Sequence, residues 1–241
     1  MRLKDCHNFE DFRKLAKKKL PSPIFHYIDG GADDEVTLNR NTSSFNDYDL
    51  VPSVLNDVSN IDMSTTVLGE KIDFPLFPAA TAMHRLYHHE GERASAKAVE
   101  KMSTIFGTST MGTVSIEEIA KVNKGPKLFQ LYIHKDRGLT DNLLERCKKS
   151  GFSSMCLTVD TVVAGNRERD RRTGFTTPPK LTLGSLLSFA LHPGWTINNL
   201  THEKFKLANI IHMTQKGTSI AVSYTHLRAH ETEADVECRL L

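Results

Sequence analysis

The chain lacks most of the marks that assign a sequence at once. Its four cysteines, Cys6, Cys147, Cys156 and Cys238, are scattered, with no CxxC spacing. Without that spacing, reduced thiols in a cytoplasmic protein are the expectation. Charge of one sign is also missing. The formal net charge is +2 and no basic block is long enough to follow a phosphate backbone, which argues against nucleic acid as a partner. The first twelve residues, MRLKDCHNFEDF, are charged and hold no apolar signal core. No GxGxxG or Walker loop occurs, so no nucleotide-binding open sheet is indicated. The longest apolar stretch, LTLGSLLSFALHPGW, is shorter than the roughly 20 residues that a bilayer requires. It has the makings of a lid, an interface helix or a membrane-surface contact. His88 and His89 precede Glu90, but adjacent histidines on a loop cannot readily face one ion, and no metal site is expected.

What is present is an ordinary globular composition, 39% hydrophobic and 25% charged over 241 residues. Residues 9–20 form an amphipathic helix ended by Pro21 and Pro23. IFHYIDGG reads as a short helix broken by Gly30-Gly31, and a second helix is expected from Asp33 to Phe45. Tyr27, in the first of these, is either a core aromatic with a wet hydroxyl or a functional group. Residues 46–73 are turn-rich, with small β elements expected near Tyr48–Val51 and Thr65–Leu68.

From Phe74 a rhythm sets in. Apolar runs begin at Phe74, Ser103, Lys127 and Ser154, at intervals of 29, 24 and 27 residues. Helical patterns separate them, at about 90–102, 115–122 and 140–149. Ser115 with Glu118 has the form of a capping box, and Gly151 is a helix stop. Strand–helix units of this length impose parallel pairing, because each crossover returns the chain to the same end. The fold class is therefore α/β, and four units are half of a (β/α)8 barrel, which usually takes roughly 250 residues. A flavodoxin-like open sheet fits the same rhythm. The stretch from Ser154 to Asp160 is apolar and then polar at its carboxyl end, where barrel enzymes place their chemistry. Beyond it, NRERDRRTGFTTPP reads as a charged surface loop. The apolar segment then closes at Pro193-Gly194, a helix follows at 203–213, and SIAVSY is a final apolar piece.

The segments FHYIDGGADDE, NIDMSTTVLG, PAATAM, GTSTMGTVSIEEI, FQLYIHKDR and LTVDT…GNRERD occur in this order. Together they resemble the FMN-dependent L-2-hydroxy-acid dehydrogenases and oxidases, most of all the bacterial cytochrome- or quinone-linked L-lactate dehydrogenases. The resemblance covers about residues 5–224. It implies a TIM barrel with FMN across its C-terminal mouth, here the N-terminal helical segment and about four βα units, with 161–210 as a variable insertion. It implies that Thr81 and Ala82 lie against the flavin, that Ser109 and Gln130 hydrogen-bond it, and that Thr158 contacts its pyrimidine end. Tyr27 and Arg167 would hold the substrate carboxylate, Tyr132 would face the substrate hydroxyl, and Asp160 would orient a catalytic histidine. The substrate would be a small 2-hydroxy acid, L-lactate above all, oxidised to the 2-oxo acid. The acceptor would be a quinone or cytochrome, with a peripheral contact on the inner face of the cell membrane and a homo-oligomeric assembly. The family's later elements do not follow: the lysine strand, the histidine with its arginine, and the glycine-rich phosphate loops. His226 and His230 lack the family's glycine-flanked context. The expectation is a truncated barrel, with 225–241 an unrelated tail.

Overall fold

The computed structural model describes residues 2–134, 136–159, 165–176 and 178–210. In chain order its helices and strands are α1 (Phe9–Lys19), α2 (Ser22–Asp29), α3 (Val36–Ser43), β1 (Thr65–Val67), β2 (Glu70–Ile72), α4 (Glu92–Lys101), β3 (Phe106–Ser109), α5 (Ile116–Val122), β4 (Lys127–Leu131), α6 (Arg137–Lys149), β5 (Ser154–Leu157), α7 (Glu168–Thr173), α8 (Leu183–Leu191) and α9 (Pro193–Thr201). They fall into two compact units. One takes residues up to 64 with 84–91 and 165–205, and the other takes 65–83, 92–164 and the residues from 206 on.

The first unit is helical. Asn8 caps α1 by accepting from the Asp11 amide at 2.9 Å, which satisfies one orphan donor. Pro21 and Pro23 then separate α1 from α2, since proline is tolerated only in a first turn. Leu20, Ile24 and Phe25 form the buried centre, with Ala16, Leu86, Tyr87, Phe175, Phe189 and Trp195 packed on it. Residues 166–173, expected as a loop, instead include the helix α7. Part of its charge is engaged within the protein, while Arg171 and Arg172 are exposed. Arg169 pairs with Asp29 at 2.9 Å and also with Glu35, and Arg172 pairs with Glu168 one turn back. Gly174 ends α7 at φ +70, where an added Cβ would lie 1.8 Å from the Lys180 carbonyl oxygen, so only glycine fits. The apolar helix α8 ends at Leu191, just before Pro193, as expected, but Pro193 also has a second role. It opens α9 as a first-turn proline, and residues 203–207 are not helical. The expected strand at 48–51 is absent too, and this turn-rich stretch is exposed.

The second unit carries the parallel sheet, in the order β3-β4-β5. Its register pairs Ser109 with Gln130, and Gln130 with Cys156. The helix-facing side is a core of Ala96, Val99, Phe106, Val114 and Ile119. The capping box of α5 is formed, with Ser115 accepting from the Glu118 amide at 3.2 Å. α6 starts earlier than expected because Asp136 caps it. The first expected strand, FPLFPAATAM, is reduced to one parallel bridge, Thr81 to Thr108. Pro75 and Pro78 remove ladder donors, which explains the shortfall. Even so, the segment lies close against β3. A Cβ at Gly107 would sit 3.2 Å from Ala80, so glycine permits the approach. This is the strand–helix arc of a TIM barrel, and no closed barrel forms among the described residues. SIAVSY and residues 225–241 lie outside the described residues.

Candidate active site

In a parallel sheet every carboxyl end emerges at one rim, and adjacent strands bring side chains there within hydrogen-bonding reach. Ser109, Gln130 and Thr158 meet in this way. The Ser109 hydroxyl donates to Gln130 Oε1 at 2.7 Å, and Gln130 Nε2 donates to the Thr158 hydroxyl. Ser109 Oγ also accepts from the Met111 amide at 3.2 Å. Gln130 is 8% exposed, so its carboxamide is held by partners and not by water. Thr81 and Ala82 follow Ala80 on the neighbouring segment, through the bridge to Thr108. Tyr132 is half-buried just past the end of β4, and its amide donates to Thr110 Oγ1 at 3.1 Å.

Two residues that the sequence did not single out support this rim. The Thr110 hydroxyl also donates to the Gln130 carbonyl oxygen at 2.7 Å. Asn209, almost fully buried, donates to the Ser109 carbonyl oxygen at 3.3 Å and accepts from the Ile116 amide at 3.0 Å. Nothing in local sequence marks Asn209, because its partners lie some hundred positions away.

The other unit joins Tyr27 and Arg167. The Arg167 guanidinium lies 5.2 Å from the Tyr27 ring centroid and donates through Nη2 to the Tyr27 carbonyl oxygen. Asp29, on the same helix end, is held below its usual carboxylate range by the Arg13 hydrogen bond first, against the opposing effect of burial. Asp160 lies outside the described residues. Among those described, no group of three or more His, Cys, Asp or Glu side chains could hold a metal.

A family model described as FMN-dependent dehydrogenase matches residues 16–237. The chain belongs to this family. Glycolate oxidase from Spinacia oleracea is 43% identical over 176 residues, covering 73% of this chain and 48% of that protein. L-lactate oxidase from Nostoc sp. is 45% identical over 187 residues, covering 76% of this chain and 51% of that protein. Among solved structures, the monotopic membrane protein (S)-mandelate dehydrogenase superposes with a TM-score of 0.83 at 31% identity, covering 92% of this chain and 59% of that one. The chain thus spans about half the length of the curated relatives it matches.

FMN is the cofactor of the FMN-dependent dehydrogenase family. The rim suits a flavin's pyrimidine edge, which alternates acceptor, donor and acceptor. The Gln130 carboxamide retains one N–H, and the Thr158 hydroxyl retains its proton, after their mutual bond is counted. Ser109, Gln130 and Thr158 are all uncharged, so they would present dipoles, not charges, to a flavin ring that becomes anionic on reduction.

Proposed function

We propose that this chain contributes the flavin rim and the substrate-carboxylate grip of an FMN-dependent L-2-hydroxy-acid oxidoreductase acting on L-lactate. The observation that supports this most is the hydrogen-bonded run Ser109–Gln130–Thr158 across three adjacent strand ends. Ser109, Gln130 and Thr158 hold the ring's polar edge, and Thr81 and Ala82 line its face. Tyr27 and Arg167 bind the carboxylate, which needs donors of this kind. Tyr132 orients the substrate hydroxyl, and Asp160 steadies a catalytic histidine. L-lactate gives up its hydroxyl proton and a hydride equivalent and leaves as pyruvate. Bound FMN supplies the two-electron acceptor, and a quinone or cytochrome takes the electrons onward.

The test is anaerobic bleaching of FMN by L-lactate, with glycolate and L-mandelate in parallel, in the full-length protein that supplies the catalytic histidine; the present chain alone is expected not to bleach it. Bleaching by L-lactate first supports the reading, and bleaching by another acid alone moves the substrate. A second reading, a flavin- or partner-binding half barrel without turnover, is favoured by the outer strand β5, whose Met155 is 49% exposed. It predicts binding of FMN with no bleaching.

We further propose that the assembly works at the inner face of the cell membrane. Residues 181–201 hold no Asp, Glu, Lys or Arg. Leu183, Leu187 and Leu191 recur every four residues on α8, and all are exposed. Among the described residues no helix is long and apolar enough to cross a membrane, so contact is with the surface. Co-sedimentation with anionic vesicles, lost in Leu187→Asp, checks this. Equal sedimentation of both proteins would refute it.

A further inference from the structure

We propose that Asp170 is a positioning residue for Arg167, fixing its guanidinium before a carboxylate ligand arrives. The proposal rests on the reading of Arg167 and Tyr27 as the carboxylate-binding pair. Arg167 stands at the N-cap of α7, and Asp170 lies three residues on, so their side chains meet across the first turn. Arg167 Nε donates to Asp170 Oδ2 at 2.6 Å, and Nη2 donates to the Tyr27 carbonyl oxygen. The Tyr27 ring, 5.2 Å from the guanidinium carbon, adds a third contact. Together these fix the guanidinium plane and occupy Nε and one proton of Nη2. Nη1 makes no hydrogen bond among the described residues, so the edge between Nη1 and Nη2 is the one left for a ligand.

Asp170 is suited to this task and poorly explained otherwise. The residue is 8% exposed, and its second oxygen, Oδ1, is buried with no hydrogen-bond partner. A buried carboxylate that serves only structure normally has both oxygens satisfied. Here the charge bears on one arginine edge. Arg169, two residues from Arg167, cannot substitute for it, because Asp29 and Glu35 already take its guanidinium. A long, rotamer-rich side chain fixed beforehand loses less freedom on binding, so the ligand is held more tightly. The ligand class is a small monocarboxylate anion.

The test uses the full chain, titrated with L-lactate and with L-lactamide and followed by NMR. Lactamide has the same shape without the carboxylate. The wild type is expected to prefer lactate. Asp170→Ala should reduce that preference about ten-fold, a loss on the scale of one charge-assisted hydrogen bond, with lactamide affinity unchanged. Asp170→Asn, which still accepts from Nε, should recover part of it, and it carries the test if the alanine variant fails to fold. Arg167→Ala should abolish the preference. If Arg167→Ala abolishes it but both Asp170 variants keep it, Asp170 has no positioning role. Tighter lactate binding in Asp170→Ala would mean that Asp170 masks Arg167, and would overturn the proposal. If the wild type shows no preference, or Arg167→Ala retains it, the carboxylate-pair reading fails and this proposal falls with it.

Discussion

Removing the Gln130 carboxamide leaves the buried Ser109 hydroxyl without its acceptor and Thr158 without its donor. Unsatisfied buried groups cost about 1–3 kcal/mol, so Gln130→Ala should lower urea-unfolding stability by that order. FMN affinity should fall with it, measured by flavin fluorescence. Glu117 makes a second, pH-dependent prediction. Its carboxyl is lowered from 4.5 to about 2, chiefly by the hydrogen bond from Arg146 at 2.7 Å. A depressed folded value means the carboxylate's contribution is complete above about pH 4.5 and is lost as pH falls toward 2. The pair is partly exposed, so the effect is modest. Arg146→Met should flatten the fall in urea midpoint over that range. The Cys147 thiol, pushed up to about 12 by burial, should resist a thiol reagent at neutral pH until the protein unfolds, whereas exposed Cys156 reacts at once.

The helix α5 depends on its first turn. Ser115 and Glu118 satisfy each other's amides at 3.2 Å each way. Ser115→Ala should therefore lose about 1 kcal/mol, seen as a lower unfolding midpoint with unchanged slope. Between β3 and the PAATAM segment the limit is steric. Gly107→Ala would press a methyl to within 3.2 Å of Ala80. Overpacking of this kind costs about 1–3 kcal/mol and should displace Thr81 and Ala82, weakening FMN binding more than a distant surface change of equal stability cost. The helices α5 and α6 were readable because their caps are local: a serine three residues before a glutamate, and an aspartate at a helix start. The helix α7 was not, because the partners that hold its Arg169, namely Asp29 and Glu35, lie more than 130 residues earlier.

Across the molecule, the exposed outer strand sets the behaviour in solution. β5 pairs on one side only among the described residues, and Met155 and Cys156 on it are exposed. An unprotected strand edge recruits other chains. Sedimentation velocity should show concentration-dependent association, reduced by Met155→Lys. A single monomer peak at all concentrations would refute this.

Parallel strand order and the rim that bears Ser109, Gln130 and Thr158 followed from spacing, because a βα crossover admits one direction and carboxyl ends then coincide. The resemblance put Tyr27 and Arg167 together on one carboxylate, but their direct contact could not be read from the chain, since it spans 140 positions and no local pattern encodes it. Folding also decided that FPLFPAATAM would make one bridge rather than a strand, that Pro193 would start a helix, and that Asn209 would lie beneath Ser109. Local chemistry sets caps, periods and breaks, while the placement of a buried polar group depends on which distant residue arrives to satisfy it.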